Sequence, residues 1–435
     1  MSGVVGVNGV AGVEGVAGVE GVAGVEGVGR RSVLRGALAA GAVGAGALAS
    51  MGAAEASGSP SPGDGSGSAP SYPFHGVHQS GVVTPKQRCA AFVAFDVTAA
   101  DRAGLTGLFR TLTERLRFLT TGGVPEPLGI SAPPSDSGVL GPVVVPDGLT
   151  ATLGVGSSLF DGRFGLAARK PLRLREMTSF PDDDLDPDWC QGDLVLQLGA
   201  ENADTVAHAL RDLAQHTRGA MQVRWRMDGF SSPPRPVGTP RNLLGFRDGT
   251  ANPDVTDART MDQVVWVGAG QGEPAWTVDG SYLALRLIRM RVEFWDRVSL
   301  NEQQRMIGRQ RDSGAPLDGQ LETDAPKYAQ DPSGDVIPLD SHMRLANPRT
   351  ATSDGLRMLR RGFNYDQGTD SNGNLNMGLV FCAFQQDLDR QFVAVQNRLA
   401  GEPLVDYVSP YGGGYFFVLP GVRDSADWLG SSLLA

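Results

Sequence analysis

The sequence predicts an α+β protein in which one β-α-β-β-α-β unit is used twice. Three observations carry this. Short apolar runs, rich in β-branched and aromatic residues and bounded by turn residues, recur at strand length. Between them lie segments whose apolar residues repeat at helical spacing. The order of these runs across 89–227 returns across 282–419.

Taken in order, Cys89–Val97 (CAAFVAFDV) reads as a strand. Asp101–Leu119 places Leu105, Leu108, Phe109, Leu112 and Leu116 on one face of a helix. Leu149–Val155 is a strand, and Gly192–Leu198 alternates Leu194, Leu196 and Leu198 as a strand with one buried face. Asn202–His216 is a helix with Val206, Leu210 and Leu213 together, and Met221–Met227 closes the first set. In the second half, Tyr282–Met290 is a strand and Leu300–Gly308 a helix. Arg357–Arg361 and Gly378–Phe384 are strands, Asp389–Leu399 a helix, and Tyr415–Leu419 the last strand. This order is the ferredoxin-like signature. The expectation is therefore two ferredoxin-like domains packed together, 74–235 and 236–435. Three Pro/Gly/Asp-rich stretches, 122–148, 231–260 and 312–356, read as loops of functional length.

The start of the chain reads as an address. Residues 2–28 repeat a GVAGVE-like hexamer with no core-forming pattern. Arg30-Arg31 then precedes an Ala/Gly/Val run and small residues around Ala49 or Ala56, the pattern of a twin-arginine export signal. The run is too poor in strongly apolar residues for a stable membrane span. Residues 1–56 are thus assigned to the low-complexity segment and signal, and 57–73 to a linker. The implied destination is extracellular, cell-envelope or periplasmic.

Composition narrows the function classes. A net charge of −10 argues against a nucleic-acid partner, which needs a basic field. Cys89, Cys190 and Cys382 form no CxxC pair, so neither a zinc ribbon nor a thioether-linked haem is expected. Cys89 and Cys382 sit in apolar runs and read as buried thiols.

There are five histidines. His208 and His216 fall on a helix with no further ligand at the right spacing, and His75 and His78 read as structural. His342 lies inside the 312–356 loop. No HExxH and no two-histidine-one-carboxylate pattern occurs, so zinc and non-haem iron lack support. A lone histidine suits haem, whose porphyrin supplies the other four nitrogens. Two glycines bracket Asp248 in Gly245-Phe246-Arg247-Asp248-Gly249, which permits close approach of a flat ligand or simply a tight turn. Arg360 and Arg361 in LRRG read alone as strand-end surface charge.

Family resemblance adds roles. GFRDGTANP (245–253), SHMRLANPR (341–349) and LRRG (359–362), in this order, resemble the dye-decolourising peroxidases. They are most similar to the twin-arginine-exported deferrochelatase/peroxidase branch. FHGVHQSGVVTPKQ (74–87), GVGSSLFDGRFGLA (154–167) and WDRVSLNEQQRMIGRQRDSGAPL (295–317) extend the resemblance over most of 74–420. It implies one non-covalent haem b per chain, bound mainly by the C-terminal domain. It implies His342 as proximal iron ligand, Asp248 as distal acid–base residue and Arg360 as distal arginine. Gly249, Thr250 and Ala251 would line the haem beside Asp248; Asn347, Pro348 and Arg349 would contact it beyond the ligand. The family often has Gly where this chain has Ala251, a difference of one methyl group.

The implied activity is reduction of hydrogen peroxide coupled to oxidation of dyes, phenols or other small electron donors, favoured at mildly acidic pH. A proximal histidine needs an acceptor on its second nitrogen. Asp387 is the sequence candidate, with a helix N-cap as its other reading. Three rival readings remain at this level. One is iron release from haem for an iron-uptake system, and another is a non-catalytic exported haem carrier. The third is a chlorite-dismutase-like enzyme, disfavoured because Asp248 has no place in it. A homo-oligomer is compatible with the sequence.

Overall fold

The apolar alternation seen in the sequence becomes one sheet whose strands join the two halves of the chain. The computed structural model describes residues 70–435. The hexamer repeat, the export signal and all but the end of the linker lie outside the described residues.

The first half holds β1 (Cys89–Val97), helix α1 (Arg102–Thr121), β2 (Thr150–Gly156), β3 (Leu194–Ala200), helix α2 (Ala203–His216) and β4 (Met221–Phe230). β1 pairs antiparallel with both β3 and β4, and β3 with β2. The second half holds β5 (Ser281–Met290), β6 (Leu359–Arg360), β7 (Phe363–Thr369), β8 (Leu375–Gln385) and β9 (Val408–Val418). β5 pairs with β8 and β9, and β8 with β6 and β7. Two narrower seams join the halves: Gly154–Gly156 of β2 against β9, and Phe230 of β4 against Asn364 of β7. Together with the β5–β8 pairing, these seams close the ladder on itself in a barrel-like arrangement.

Side chains sort by the two-residue period of a strand. One set, including Phe92, Trp225, Leu285, Tyr365, Cys382 and Phe416, packs inside the closed sheet. The alternate set of the first half, with Val93, Leu153 and Leu196, packs under α1 and α2. Asp101 caps α1 by accepting from the Gly104 amide at 2.8 Å. A third cluster, with Leu244, Phe246, Met290, Trp295 and Leu379, forms outside the second half and flanks the candidate site.

Where the structure departs from the sequence reading, local chemistry explains it. The Arg357–Arg361 run is a strand only at Leu359–Arg360, and it resumes as β7 after a break at Arg361-Gly362. The Asp389–Leu399 helix begins with a π-helical turn over Asp389–Val393. Cys89 is half-buried rather than buried, because it opens its strand; all three cysteines are free thiols.

Candidate active site

Two of the three long loops meet on one cavity of about 290 Å³. Asp248, Gly249, Thr250 and Ala251 line one side. Arg360 lies at the end of β6, and His342, Asn347 and Arg349 come from the second loop. Ile288, Met290, Leu379 and Phe381 supply apolar walls.

The Asp248 loop is fastened from several directions. Asn242 Oδ1 accepts from the Leu244 and Phe246 amides, and Trp295 Nε1 donates to the Leu244 carbonyl at 3.0 Å. The Asp248 amide donates to the Pro240 carbonyl at 2.9 Å. Gly249 takes φ +103°, a left-handed value that a side chain would strain. Thr250 Oγ1 donates to Glu322 Oε1 at 2.8 Å, and Arg247 Nη1 sits 3.1 Å from Glu322 Oε2. Burial would raise the Glu322 carboxyl, but Thr239, Thr250 and Arg247 hold it below the usual carboxylate range.

Asp248 faces a cation. Arg360 Nη1 stands 3.7 Å from Asp248 Oδ1, and both side chains are partly open to the cavity. Asn252 fixes that arginine: its Nδ2 donates to the Arg360 carbonyl at 2.7 Å, and its Oδ1 accepts from the Arg360 amide at 3.1 Å. The two arginines of LRRG part company where β6 ends, since neighbouring residues of an extended chain point to opposite faces. Arg360 reaches the cavity, whereas Arg361 is buried near Cys382.

His342 begins a short helix, His342–Ala346, after the wholly buried Ser341. Arg398 clamps the helix end through the Leu345 and Ala346 carbonyls, both at 2.9 Å. His342 Nδ1 meets both Glu402 oxygens, at 3.0 and 2.9 Å. The Glu402 side chain is 6% exposed, while the imidazole is 34% exposed where it borders the cavity. Burial would lower the His342 pKa, but the Glu402 charge and hydrogen bond outweigh it and raise it.

Glu402 overturns the assignment of Asp387. Asp387 Oδ2 pairs with Arg173 Nε at 2.7 Å, and Asp387 Oδ1 accepts from the Asp389 and Arg390 amides at 3.0 Å each. Its lone pairs are taken by a helix start and an arginine, so its N-cap reading holds. Pro348 also differs from expectation. Asn347 and Arg349 line the cavity, and Pro348 between them does not. Asn347 Oδ1 closes this turn on the Arg349 amide at 3.0 Å, with Arg349 at φ +56°.

Sequence reasoning missed Glu402, Asn252 and Glu322. Asn252 lay inside a motif already singled out. Glu402 and Glu322 stand far from the residues they serve, with no motif around them.

The site residues fit a haem. The walls are largely apolar, and Arg309 and Arg349 add cations suited to the carboxylates of such a ligand. Among the described residues no group of three or more His, Cys, Asp or Glu could hold a metal ion. His342 therefore lacks the protein co-ligands a bare ion would need, and a ring that brings its own nitrogens suits it.

Comparison with known proteins gives the same answer. Residues 79–231 match the family described as Dyp-type peroxidase, N-terminal, and residues 239–423 match Dyp-type peroxidase, C-terminal. The chain belongs to the Dyp-type peroxidase family. It is thus an enzyme of the haem peroxidase class. Proteins named Deferrochelatase from Escherichia coli (strain K12) and Shigella boydii serotype 4 (strain Sb227) are each 56% identical to it over 367 residues. Each match covers 83% of this chain and 87% of the relative. The DyP-type peroxidase from Cellulomonas bogoriensis superposes with a TM-score of 0.76 at 36% identity, covering 84% of this chain and 99% of that one. Ferric DtpA from Streptomyces lividans gives the same TM-score and identity, covering 84% of this chain and 98% of that one.

Proposed function

We propose that this chain is an exported, haem b-dependent peroxidase in which His342 holds the iron, Asp248 moves the proton and Arg360 supports the developing charge. The observation that carries this is the arrangement of one cavity: a histidine backed by Glu402, and an Asp248–Arg360 pair on the same apolar space. Haem, when bound, supplies the iron at which hydrogen peroxide is reduced.

Asp248 in its ionised form accepts a proton from peroxide and returns it to the departing oxygen. Such general acid–base work is worth about 10²–10⁴-fold. Arg360, 3.7 Å away, stabilises negative charge on that oxygen. Glu402 holds the imidazole with Nδ1 occupied, which leaves Nε2 for the metal and raises its basicity. Asn347 and Arg349 sit where the turn after the ligand can contact the macrocycle. Asp248→Asn should lower peroxide turnover by about 10²–10⁴-fold with haem binding retained. An unchanged rate excludes the assignment.

The halves 74–235 and 236–435 are read as two ferredoxin-like units, with haem bound mainly by the second. Their strand orders, β2-β3-β1-β4 and β9-β5-β8-β7, support this. Export by the twin-arginine route rests on Arg30-Arg31 and the small-residue run after it. Replacing both arginines by lysine should leave the protein in the cytoplasm.

A second reading is iron release from haem for an iron-uptake system, favoured by the 56% identity to proteins named Deferrochelatase. Product analysis separates the two: free protoporphyrin supports iron release, and oxidised donor with intact haem supports the peroxidase.

A further inference from the structure

The FHGVHQSGVVTPKQ stretch has no part in the site so far, yet one of its side chains reaches the backbone behind it. Lys86 precedes β1 and turns inward. Its Nζ donates to the Gly362 carbonyl and stands 4.6 Å from the centre of the Phe363 ring. Gly362 breaks the strand between β6 and β7, directly after Arg360 and Arg361. A Cβ on Gly362 would lie 3.5 Å from Asp248 Oδ2. The Asp248 carboxylate therefore rests against the backbone that Lys86 holds.

We propose that Lys86 is a positioning residue for the peroxide reaction: its ammonium pins the Arg360–Gly362 turn against Asp248. This rests on the reading of Asp248 as the acid–base residue. The groups around the pair are few. Arg360 is 3.7 Å from Asp248, and Arg247 beside it is engaged by Glu322. His342 also feels the charge of Asp248. Lys86 itself faces Asp248, Arg361 and Cys382. Arg361 spends one nitrogen on the Thr84 carbonyl and leaves Nε and Nη2 without partners, so it adds positive charge and cannot replace Asp248 as the counter-ion. Burial pushes the Lys86 ammonium down to about 8, while Asp248 opposes that fall and Arg361 deepens it. The ammonium is therefore charged at neutral and acidic pH and keeps its bond to the Gly362 carbonyl.

The test separates turnover from cofactor binding in the haem-loaded protein. Lys86→Met removes the donor to Gly362; Lys86→Gln keeps a neutral, shorter donor; Lys86→Arg keeps a charged one. A misplacement of about 1 Å at a reacting pair can cost about 100-fold. Lys86→Met should therefore lower kcat for peroxide by about 10- to 100-fold, while its haem affinity, read at the Soret band, stays near wild type. Lys86→Arg should recover most of the lost kcat. If Lys86→Met does not fold, the other two variants carry the comparison, with Lys86→Gln slower than Lys86→Arg. Wild-type kcat in the neutral variants, or Lys86→Arg no faster than they are, overturns the proposal. Turnover of Asp248→Asn decides the acid–base reading separately, so the two failures are told apart.

Discussion

Glu402→Gln isolates the charge behind the proposed iron ligand. Both carboxylate oxygens lie within 3.0 Å of His342 Nδ1, from a side chain 6% exposed. A hydrogen bond to a charged group is worth about 1.5–3 kcal/mol and a neutral one about 0.5–1.5 kcal/mol. Glutamine preserves an acceptor and loses the charge, so the difference is about 1–1.5 kcal/mol. At about 1.4 kcal/mol per factor of ten, haem affinity should fall roughly tenfold. Glu402→Ala leaves Nδ1 with no acceptor, and its loss should approach 100-fold. The assay is a haem titration of apo-protein followed at the Soret band, with resonance Raman of the ferrous protein as second readout. A less anionic imidazole should lower the iron–histidine stretching frequency. Wild-type affinity together with an unshifted stretch in Glu402→Gln would refute the reasoning.

Other perturbations test separate links. Asn252→Ala removes both hydrogen bonds to the Arg360 backbone without changing any charge. It should cost about 1–3 kcal/mol of stability and lower kcat for peroxide more than haem affinity, read by melting and steady-state kinetics. Asp387→Ala should cost about 1 kcal/mol as a lost helix cap and leave the haem spectrum unchanged; a shifted iron–histidine band would restore Asp387 as a ligand partner. Asp193 offers a pH test. Burial would raise its carboxyl, but Arg163, Ser158 and the Val97 amide hold it below its ordinary value near 3.8. Its contribution is therefore present above that value and lost as pH falls through the lower folded value. Asp193→Asn should be less stable than wild type at pH 7, with the gap narrowing as pH falls below about 3.8 in denaturant unfolding.

How much of this was legible in the sequence depends on whether a residue's partner is near in the chain. β1 follows the CAAFVAFDV run residue for residue, because strand pattern and burial coincide there. β6 and β7 were harder: Arg361 and Gly362 interrupt the alternation, and the interruption is where the Asp248 carboxylate packs. Asp248 alone looked like a turn residue, and it does sit in a turn. What makes it distinctive is Arg360, more than 100 residues later. The error over Asp387 has the same origin. Two acids flank the helix that packs on His342–Ala346, and periodicity does not say which end meets the imidazole. Asp387, before the helix, is consumed in capping it; Glu402, after it, is left to pair with His342.

The closed sheet bears on the chemistry as well as the shape. The first half donates no lining residue beyond Asp182, so the cavity looks like the property of the second half. Yet the halves share a seam at Phe230–Asn364, and Lys86 and Thr84 of the first half bond the Arg361–Gly362 break beside it. The Lys86 bond falls on the backbone that follows Arg360 and supports Asp248, and the Thr84 carbonyl accepts from the Arg361 side chain. A second half separated from residues 70–235 would keep His342 and Glu402, which are held by Arg398 and by each other. It would keep the Asn252 bonds to Arg360 but lose the Lys86 hold on Gly362, against which Asp248 rests. Haem binding and peroxide turnover should therefore separate in variants of this seam: substitutions at Lys86, Arg361 or Asn364 act on turnover, while those at Glu402 or Arg398 act on affinity.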